Sequence, residues 1–382
     1  MDRRSFLGAA SLASLAAGPA LAQGAPKAEG QALLPDFKLP DPAGQRVRYA
    51  VVGLGTFSIG QFIPGVLNSQ HSELVAFVSG NPDKAHKLGA DYGVSKFYDY
   101  DNFDSIAQDD SIDVVYIALP VALHAEYAIR ALKAGKHVFC EKPMASTVEE
   151  CEAMIAAAKA ANRQLGIAYR VHFEPNNVAA AKMIADGKIG TVRHYEGDAG
   201  FNANPAFPPH KWRLTKALAG GGSMYDIGIY ALNAALMSVT DTPVSVSAVY
   251  SYPKDDPRFT EVEGGVIWRL TFASGVIAQG SSSYCYNYVT RQRTFGSAGA
   301  ISLDPANDYN QVVVTVQTQF EPPAPFRAGS PNTQFANQVD AFSIAARTNT
   351  PHLTPGELGL RDIKLIQAIY RSADAGGQTV PV

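Results

Sequence analysis

Residues Tyr49–Gly60 read YAVVGLGTFSIG, and few local sequences restrict a fold as strongly. Ala50-Val51-Val52 is a short apolar run suited to a buried strand. Gly53-Leu54-Gly55 follows at once, and a helix-like segment begins near Ile59. Glycine in such a turn lets the chain bend sharply and lets a pyrophosphate approach the backbone. The next helix then offers free N–H groups and the positive end of its dipole. Gly53, Gly55, Thr56 and Phe57 are therefore candidates for holding a dinucleotide. Ser58 occupies the third glycine position of the fingerprint, where Gly or Ala is usual. A plain strand–turn–helix would look alike, so the neighbouring segments decide.

A second strand signal, Leu74–Val78, ends in Ser79-Gly80-Asn81, with Lys84 close behind. An NAD-preferring site places Asp or Glu at this strand end to accept the ribose hydroxyls. Here no acid occurs before Asp83. Ser79, Gly80, Asn81 and Lys84 suit a 2′-phosphate, which favours NADP. The alternative is that Asn81-Pro82 simply begins a helix and Lys84 is solvated.

Strand and helix signals alternate from Arg48 to about Ala168. Strands are expected at Tyr49–Leu54, Glu73–Val78, Asp113–Ala118, His137–Cys140 and Gln164–Ala168. Helices are expected at Pro82–Tyr92, Ala122–Ala134 and Thr147–Ala161. This predicts a parallel sheet with helices on both faces, an α/β Rossmann domain over 48–168. Ligands bind beyond the carboxyl ends of such strands, which singles out Gly53–Ser58, Leu119–His124 and Glu141–Pro143. After Ala168 the pattern changes. Helices are expected at Asn176–Asp186 and Ser223–Met237, then six strands between Val244 and Val316, then helices at Gln334–Ala346 and Glu357–Asp374. The short connections predict a large open, mostly antiparallel sheet in a second α/β domain over 169–382. Its final helices are candidates to pack back on the first domain.

Composition narrows the function. The 382 residues are 46% hydrophobic and 18% charged, with a formal net charge of −3, which gives no basic footprint for nucleic acid. Three cysteines, Cys140, Cys151 and Cys285, lack metal-binding spacing, and no His/Asp/Glu grouping has it either. At the N-terminus, Asp2-Arg3-Arg4-Ser5-Phe6-Leu7 precedes a small apolar run that ends in Ala20-Leu21-Ala22. Residues 1–22 read as a twin-arginine signal peptide, which implies export to the periplasm. The run is too short for a lasting membrane anchor. Residues 23–47 read as an extended arm rich in Pro, Gly and Ala.

Five stretches carry a resemblance: VVGLG (Val51–Gly55), VSGNPDKA (Val78–Ala85), HAEYAIRALKAGKHVFCEKPMA (His124–Ala145), KWRL (Lys211–Leu214) and AGGGSMYDIGIYALN (Ala219–Asn233). With them the chain resembles the Gfo/Idh/MocA oxidoreductases of the glucose–fructose oxidoreductase type, over nearly everything from Tyr49 onward. Glu141-Lys142-Pro143 is the most diagnostic piece. The family pattern near Asp226 resembles D-x-G-x-H, and here Asp226-Ile227-Gly228-Ile229-Tyr230 puts Tyr in place of His.

The resemblance implies catalytic roles for Lys142, Asp226 and Tyr230. A phenol can exchange a proton with a sugar hydroxyl during hydride transfer, and a cation such as Lys142 would help it, because its ordinary pKa is near ~10. Asp226 would bind or orient the sugar. Leu119, Pro120, His124, Glu141, Lys142, Arg170, Trp212 and Arg213 are implied near the cofactor, and Lys142, Arg170, Asp226 and Tyr230 near the sugar. The loop Phe201–His210 is expected to line the sugar pocket. For His124 a satisfied helix-start histidine is the alternative, for Arg170 a structural salt bridge, and for Trp212 ordinary packing.

The implied activity is oxidation of an aldose at C1 to its lactone and reduction of a second sugar by retained NADPH, with the arm covering the cofactor. Two rivals remain: an ordinary dehydrogenase exchanging free NAD(P), and a non-catalytic sugar- or nucleotide-binding protein. The outer face of the large sheet is a natural surface for a homo-oligomer.

Overall fold

The computed structural model describes Asp41 and residues 44–382. The expected signal segment 1–22 and nearly all of the 23–47 arm lie outside the described residues. Val47–Val52 forms β1, followed by a π-turn at Ser58–Phe62 and a short helix α1 (Ile63–Leu67). The chain then forms β2 (Ser72–Val78), α2 (Pro82–Tyr92), β3 (Lys96–Tyr98), β4 (Val114–Ile117), α3 (His124–Lys133), β5 (His137–Glu141), α4 (Val148–Ala161) and β6 (Leu165–Ala168). These six strands pair in parallel, in the order β3-β2-β1-β4-β5-β6. The order reverses between β1 and β4, which opens a crevice beyond their carboxyl ends.

The strand sequences explain this sheet. Ala50, Val52, Val115, Ile117 and Val138 face one helical layer, while Tyr49, Val51, Val114, Tyr116 and Phe139 face the other. The central positions are therefore apolar on both faces, and the strand cores read as continuous hydrophobic runs. The helices between them carry local start and stop signals. Asn81 caps α2 by accepting from the Lys84 amide at 2.9 Å, and Gly93 ends it in the left-handed region. Thr147 and Glu150 form a capping box at the start of α4.

The second unit begins with a 3₁₀ turn at Arg170–His172 and contains α5 (Pro175–Ala185), β7 (Val192–Asn202), α6 (Pro208–Lys211), α7 (Lys216–Ala219), a π-turn at Met224–Gly228 and α8 (Ile229–Ser238). There follow β8 (Pro243–Tyr250), β9 (Gly265–Phe272), β10 (Ile277–Ser283), β11 (Cys285–Gly296), β12 (Gly299–Leu303), β13 (Val314–Thr318), β14 (Ala324–Phe326), α9 (Gln334–Thr348), α10 (Gly356–Asp374) and β15 (Val380–Pro381). The sheet order is β14-β13-β12-β11-β7-β10-β9-β8-β15. Only β7 and β10 pair in parallel; the other neighbours are antiparallel.

Strand β7, at the centre of this sheet, is the main departure from the sequence expectation, as are the short strands β3, β14 and β15. β7 reads VRHYEGDAGFN, with charged residues and two glycines breaking the alternation. The glycines belong there for tertiary reasons. A Cβ on Gly197 would lie 2.4 Å from the Tyr195 hydroxyl, and one on Gly200 would lie 2.6 Å from the Ser283 carbonyl oxygen.

Helix α9 returns to the first sheet, burying Val339 and Phe342 against Tyr49 and Phe139. Asp340, fully buried on this helix, accepts from the Gln70 amide at 3.0 Å and the His71 amide at 2.9 Å. The C-terminal part of the chain thus holds the turn that leads into β2.

Candidate active site

The turn after β1 is built around two glycines with different duties. Gly53 has φ +90°, and a Cβ there would lie 2.5 Å from the Ala118 carbonyl oxygen, so only glycine fits. Gly55 has nothing within 4 Å of its Cβ position, which leaves an open approach to the backbone for a pyrophosphate. Ser58 is accommodated because its hydroxyl donates to the Gly53 carbonyl at 2.6 Å. Helical backbone runs from Thr56 through residue 67, so the Thr56 and Phe57 amides lie at its start. Phe57 packs edge-on against Phe335 of α9 at 5.8 Å.

At the end of β2, the buried Ser79 hydroxyl accepts from the Asn81 amide at 3.1 Å. Gly80 is exposed, and a Cβ there would meet the Tyr100 ring at 3.1 Å. Asn81 uses its side chain to cap α2, while Lys84 is exposed and has no ion pair among the described residues. This edge presents hydroxyl, amide and ammonium groups and no carboxylate before Asp83.

Beyond β4 and β5 the two strand ends are tied together. His124 is 1% exposed, and its Nδ1 and Nε2 face the Pro143 and Leu119 carbonyls, both at 2.9 Å. Burial lowers its pKa. The ring lies between the Leu119-Pro120 and Glu141–Pro143 segments, and as a neutral imidazole it donates to one of these two carbonyls. The Glu141 carboxyl accepts from the Tyr116 hydroxyl at 2.6 Å. Burial pushes it up to about 7, against the favourable pull of Tyr116 and Lys142.

Lys142 stands at the centre of the site. Its Nζ donates to the Asp226 carbonyl at 2.6 Å and sits 4.5 Å from the centre of the Tyr230 ring. Burial lowers its pKa, opposed by Asp226 and Glu141. Asp226 and Tyr230 flank it, but they engage different partners. The intervening segment is a π-turn, so spacing by four does not pair the two side chains as a regular α-helix would. The Asp226 carboxylate accepts from Arg213 Nε at 2.8 Å and from the Tyr284 hydroxyl at 3.1 Å. Burial pushes that carboxyl up, and the Arg213 and Lys142 cations outweigh it and hold it below the usual range.

The Tyr230 hydroxyl instead accepts from Arg170 Nε at 3.1 Å. Burial raises its pKa, and the Arg170 cation opposes that rise. Arg170, rather than Lys142, is therefore the cation bonded to the phenol oxygen. Arg170 forms no salt bridge among the described residues. Its Nη1 donates to Gln334 and its Nη2 to the Asn307 carbonyl, both at 2.5 Å. Its guanidinium lies 4.9 and 4.5 Å from the centres of the Tyr230 and Tyr309 rings. Helix α8 is held beneath by Asn233, which donates to Asp362 at 2.8 Å and contacts His172 at 2.7 Å.

Arg213 belongs to Asp226 and also stacks over Trp212 at 4.5 Å. The loop after β7 lies alongside, with His210 5.0 Å from Phe201, which in turn packs 5.1 Å from Tyr284. Tyr116, Tyr284, Asn307, Tyr309 and Gln334 escaped the sequence reading. Tyr309 and Asn307 lie in a stretch, DPANDYN, that reads as a turn, and nothing local marks them.

Two family models match the chain. One describes an oxidoreductase family with an NAD-binding Rossmann fold and covers residues 47–169; the other describes a GFO/IDH/MocA C-terminal domain and covers residues 177–302. An uncharacterized oxidoreductase of Rhizobium meliloti is 32% identical over 344 residues, 86% of this chain and 98% of that protein. A D-xylose 1-dehydrogenase [NADP(+)] of Haloarcula marismortui is 29% identical over 86% of this chain and 91% of its own. The crystal structure of an aldose-aldose oxidoreductase from Caulobacter crescentus, complexed with glycerol, is 43% identical with a TM-score of 0.85, over 88% of this chain and 100% of that one.

Proposed function

We propose that this chain, which belongs to the GFO/IDH/MocA oxidoreductase family, is an NADP-dependent sugar oxidoreductase with a retained cofactor. It oxidises an aldose at C1 to the aldonolactone and reduces a second sugar, ketose or aldose. The observation that carries the reading is the Tyr230 phenol held between two cations, with Arg170 on its oxygen and Lys142 over its ring. Similarity to an aldose-aldose oxidoreductase and to an NADP-linked xylose dehydrogenase supports the substrate class.

The residues present suit the cofactor. The open face of Gly55 admits a pyrophosphate, and the Ser79–Asn81 edge with Lys84 suits a 2′-phosphate. NADP, when bound, supplies the hydride acceptor for the first sugar and the hydride donor for the second. The chain supplies the proton chemistry. Lys142 donates to one backbone carbonyl and retains further N–H bonds for a sugar hydroxyl. The ionised Asp226 carboxylate accepts a second hydroxyl and orients the ring. The Tyr230 phenolate, stabilised by Arg170, takes the proton of the C1 hydroxyl during oxidation and becomes the phenol. It returns that proton to the carbonyl oxygen of the second sugar, so the site ends each cycle as it began.

Extensively dialysed protein tests this reading by absorbance and analysis of released nucleotide. The expected result is bound NADP that becomes reduced when glucose is added alone. Protein that turns over only with added NAD or NADP would establish an ordinary exchanging dehydrogenase. No turnover under either condition would favour a non-catalytic binding protein. Tyr230→Phe should lower turnover about 10²- to 10⁴-fold; unchanged turnover would remove Tyr230 from the chemistry.

Two further proposals accompany this one. The paired arginines and the A-x-A site of residues 1–22 support twin-arginine export to the periplasm, where a retained cofactor matters because the free pool is scarce. The outer face of the nine-stranded sheet exposes Val244, Val249 and Ile267 by 43–46%, which supports a homo-oligomer formed through that face.

A further inference from the structure

We propose that Tyr309, in the segment between β12 and β13, is a second phenol of the active site, one whose hydroxyl hydrogen-bonds a substrate hydroxyl and fixes the reacting sugar. The inference rests on the sugar oxidoreductase reading above and extends it to a residue outside every recognisable motif.

Three observations converge on it. First, its place: the ring lies against the same Arg170 guanidinium as Tyr230, with centre distances of 4.5 Å and 4.9 Å. It also packs 5.6 Å from Phe335 and 6.5 Å from Phe57, which belongs to the turn after β1. Tyr309 thus joins the dinucleotide turn to the proton-transfer pair. Second, its fixation: Asn307 in the same segment accepts from Arg170, and Gln334 donates to the Tyr309 carbonyl at 3.2 Å. The segment is held by the same guanidinium that holds the Tyr230 oxygen. Third, its unused polarity: the hydroxyl makes no hydrogen bond among the described residues, although the residue is only partly exposed. The charges of Arg170, Lys142 and Glu141 all act on it, as expected for a group facing the same cleft. A polyol substrate is the chemistry that uses such a donor, since a sugar brings a hydroxyl to every ring carbon.

A ring that only supports Arg170 predicts something different, and two substitutions separate the cases. Tyr309→Phe keeps the ring and its stacking. Its KM for the aldose should rise about fivefold, the loss of one neutral hydrogen bond, with kcat within about twofold and an unaltered pH profile. The same factor should appear without turnover. In a Tyr230→Phe background, adding Tyr309→Phe should weaken sugar binding about fivefold, read by fluorescence titration of the cofactor-loaded protein. Tyr309→Ala should also disturb Arg170 and move the pH profile. A Tyr309→Phe protein with unchanged KM and unchanged sugar affinity overturns the inference, whatever Tyr309→Ala does. A wild-type protein without sugar turnover or sugar binding sinks the parent reading instead, before any variant is compared.

Discussion

The carboxyl of Glu141 illustrates how one residue couples site chemistry to stability. It is buried beside Lys142, and its pKa stands at about 7 rather than 4.5. The folded protein therefore holds this proton more tightly than the unfolded chain does. Its contribution is fully present below about pH 4.5 and is lost as the pH rises toward 7, with a span of at most about 3 kcal/mol. Glu141→Gln keeps an acceptor for the Tyr116 hydroxyl and has no proton to lose. Thermal unfolding of the cofactor-free protein should show a Tm difference that moves in the variant's favour between pH 5 and pH 7. A difference independent of pH would mean that the carboxyl ionises freely in the fold. The residue scale also marks where the sequence was least legible. Lys142, Asp226 and Tyr230 stand out through a motif, whereas the partners that give them chemistry do not. Arg170 finds Tyr230 across 60 residues of chain and Gln334 across 164.

Among the elements, the turn from β1 into the following helix carries a clean contrast between folding and binding. Gly53→Ala would force a Cβ to 2.5 Å from the Ala118 oxygen at φ +90°. It should cost at least about 1 kcal/mol and lower Tm with or without cofactor. Gly55→Ala meets no protein atom. It should leave the Tm of the cofactor-free protein unchanged and weaken NADP binding about tenfold or more, a difference of about 1.4 kcal/mol. Equal behaviour of the two variants would show that the space over Gly55 is not the pyrophosphate approach. The strand–helix alternation was legible because the central positions of β1, β4, β5 and β6 are buried on both faces and are apolar. Strand β7 was not, because its residues answer to neighbours far along the chain. Its glycines make room for Tyr195 and Ser283, and its register is set by β10 and β11.

For the whole molecule, the large sheet offers a test of assembly. Val249 on β8 and Ile267 on β9 lie opposite each other in the antiparallel ladder, and both are close to half exposed. Contact between copies through this face would bury them. Ile267→Lys places a charge on the face and should lower the mass measured by light scattering to that of a single chain, with secondary structure retained. An unchanged oligomer would move the interface elsewhere, and a wild-type monomer would end the proposal. The two sheets are joined by more than the site. Helix α9 packs on the first sheet, and its Asp340 holds the Gln70 and His71 amides, so the C-terminal part of the chain braces the first sheet.

Local physics was enough to specify the nucleotide-binding turn, the capped helices α2 and α4 and the buried parallel strands. Each follows from a backbone requirement or a burial requirement that neighbouring residues express by themselves. The identity of the phenol's cation, the diversion of Asp226 to Arg213, the enclosure of His124 and the contact of Tyr309 with Arg170 were decided only in three dimensions. They depend on hydrogen bonds and ring contacts between segments 60 or more residues apart in several cases, and a one-dimensional pattern carries no record of which distant groups will share a low-dielectric site.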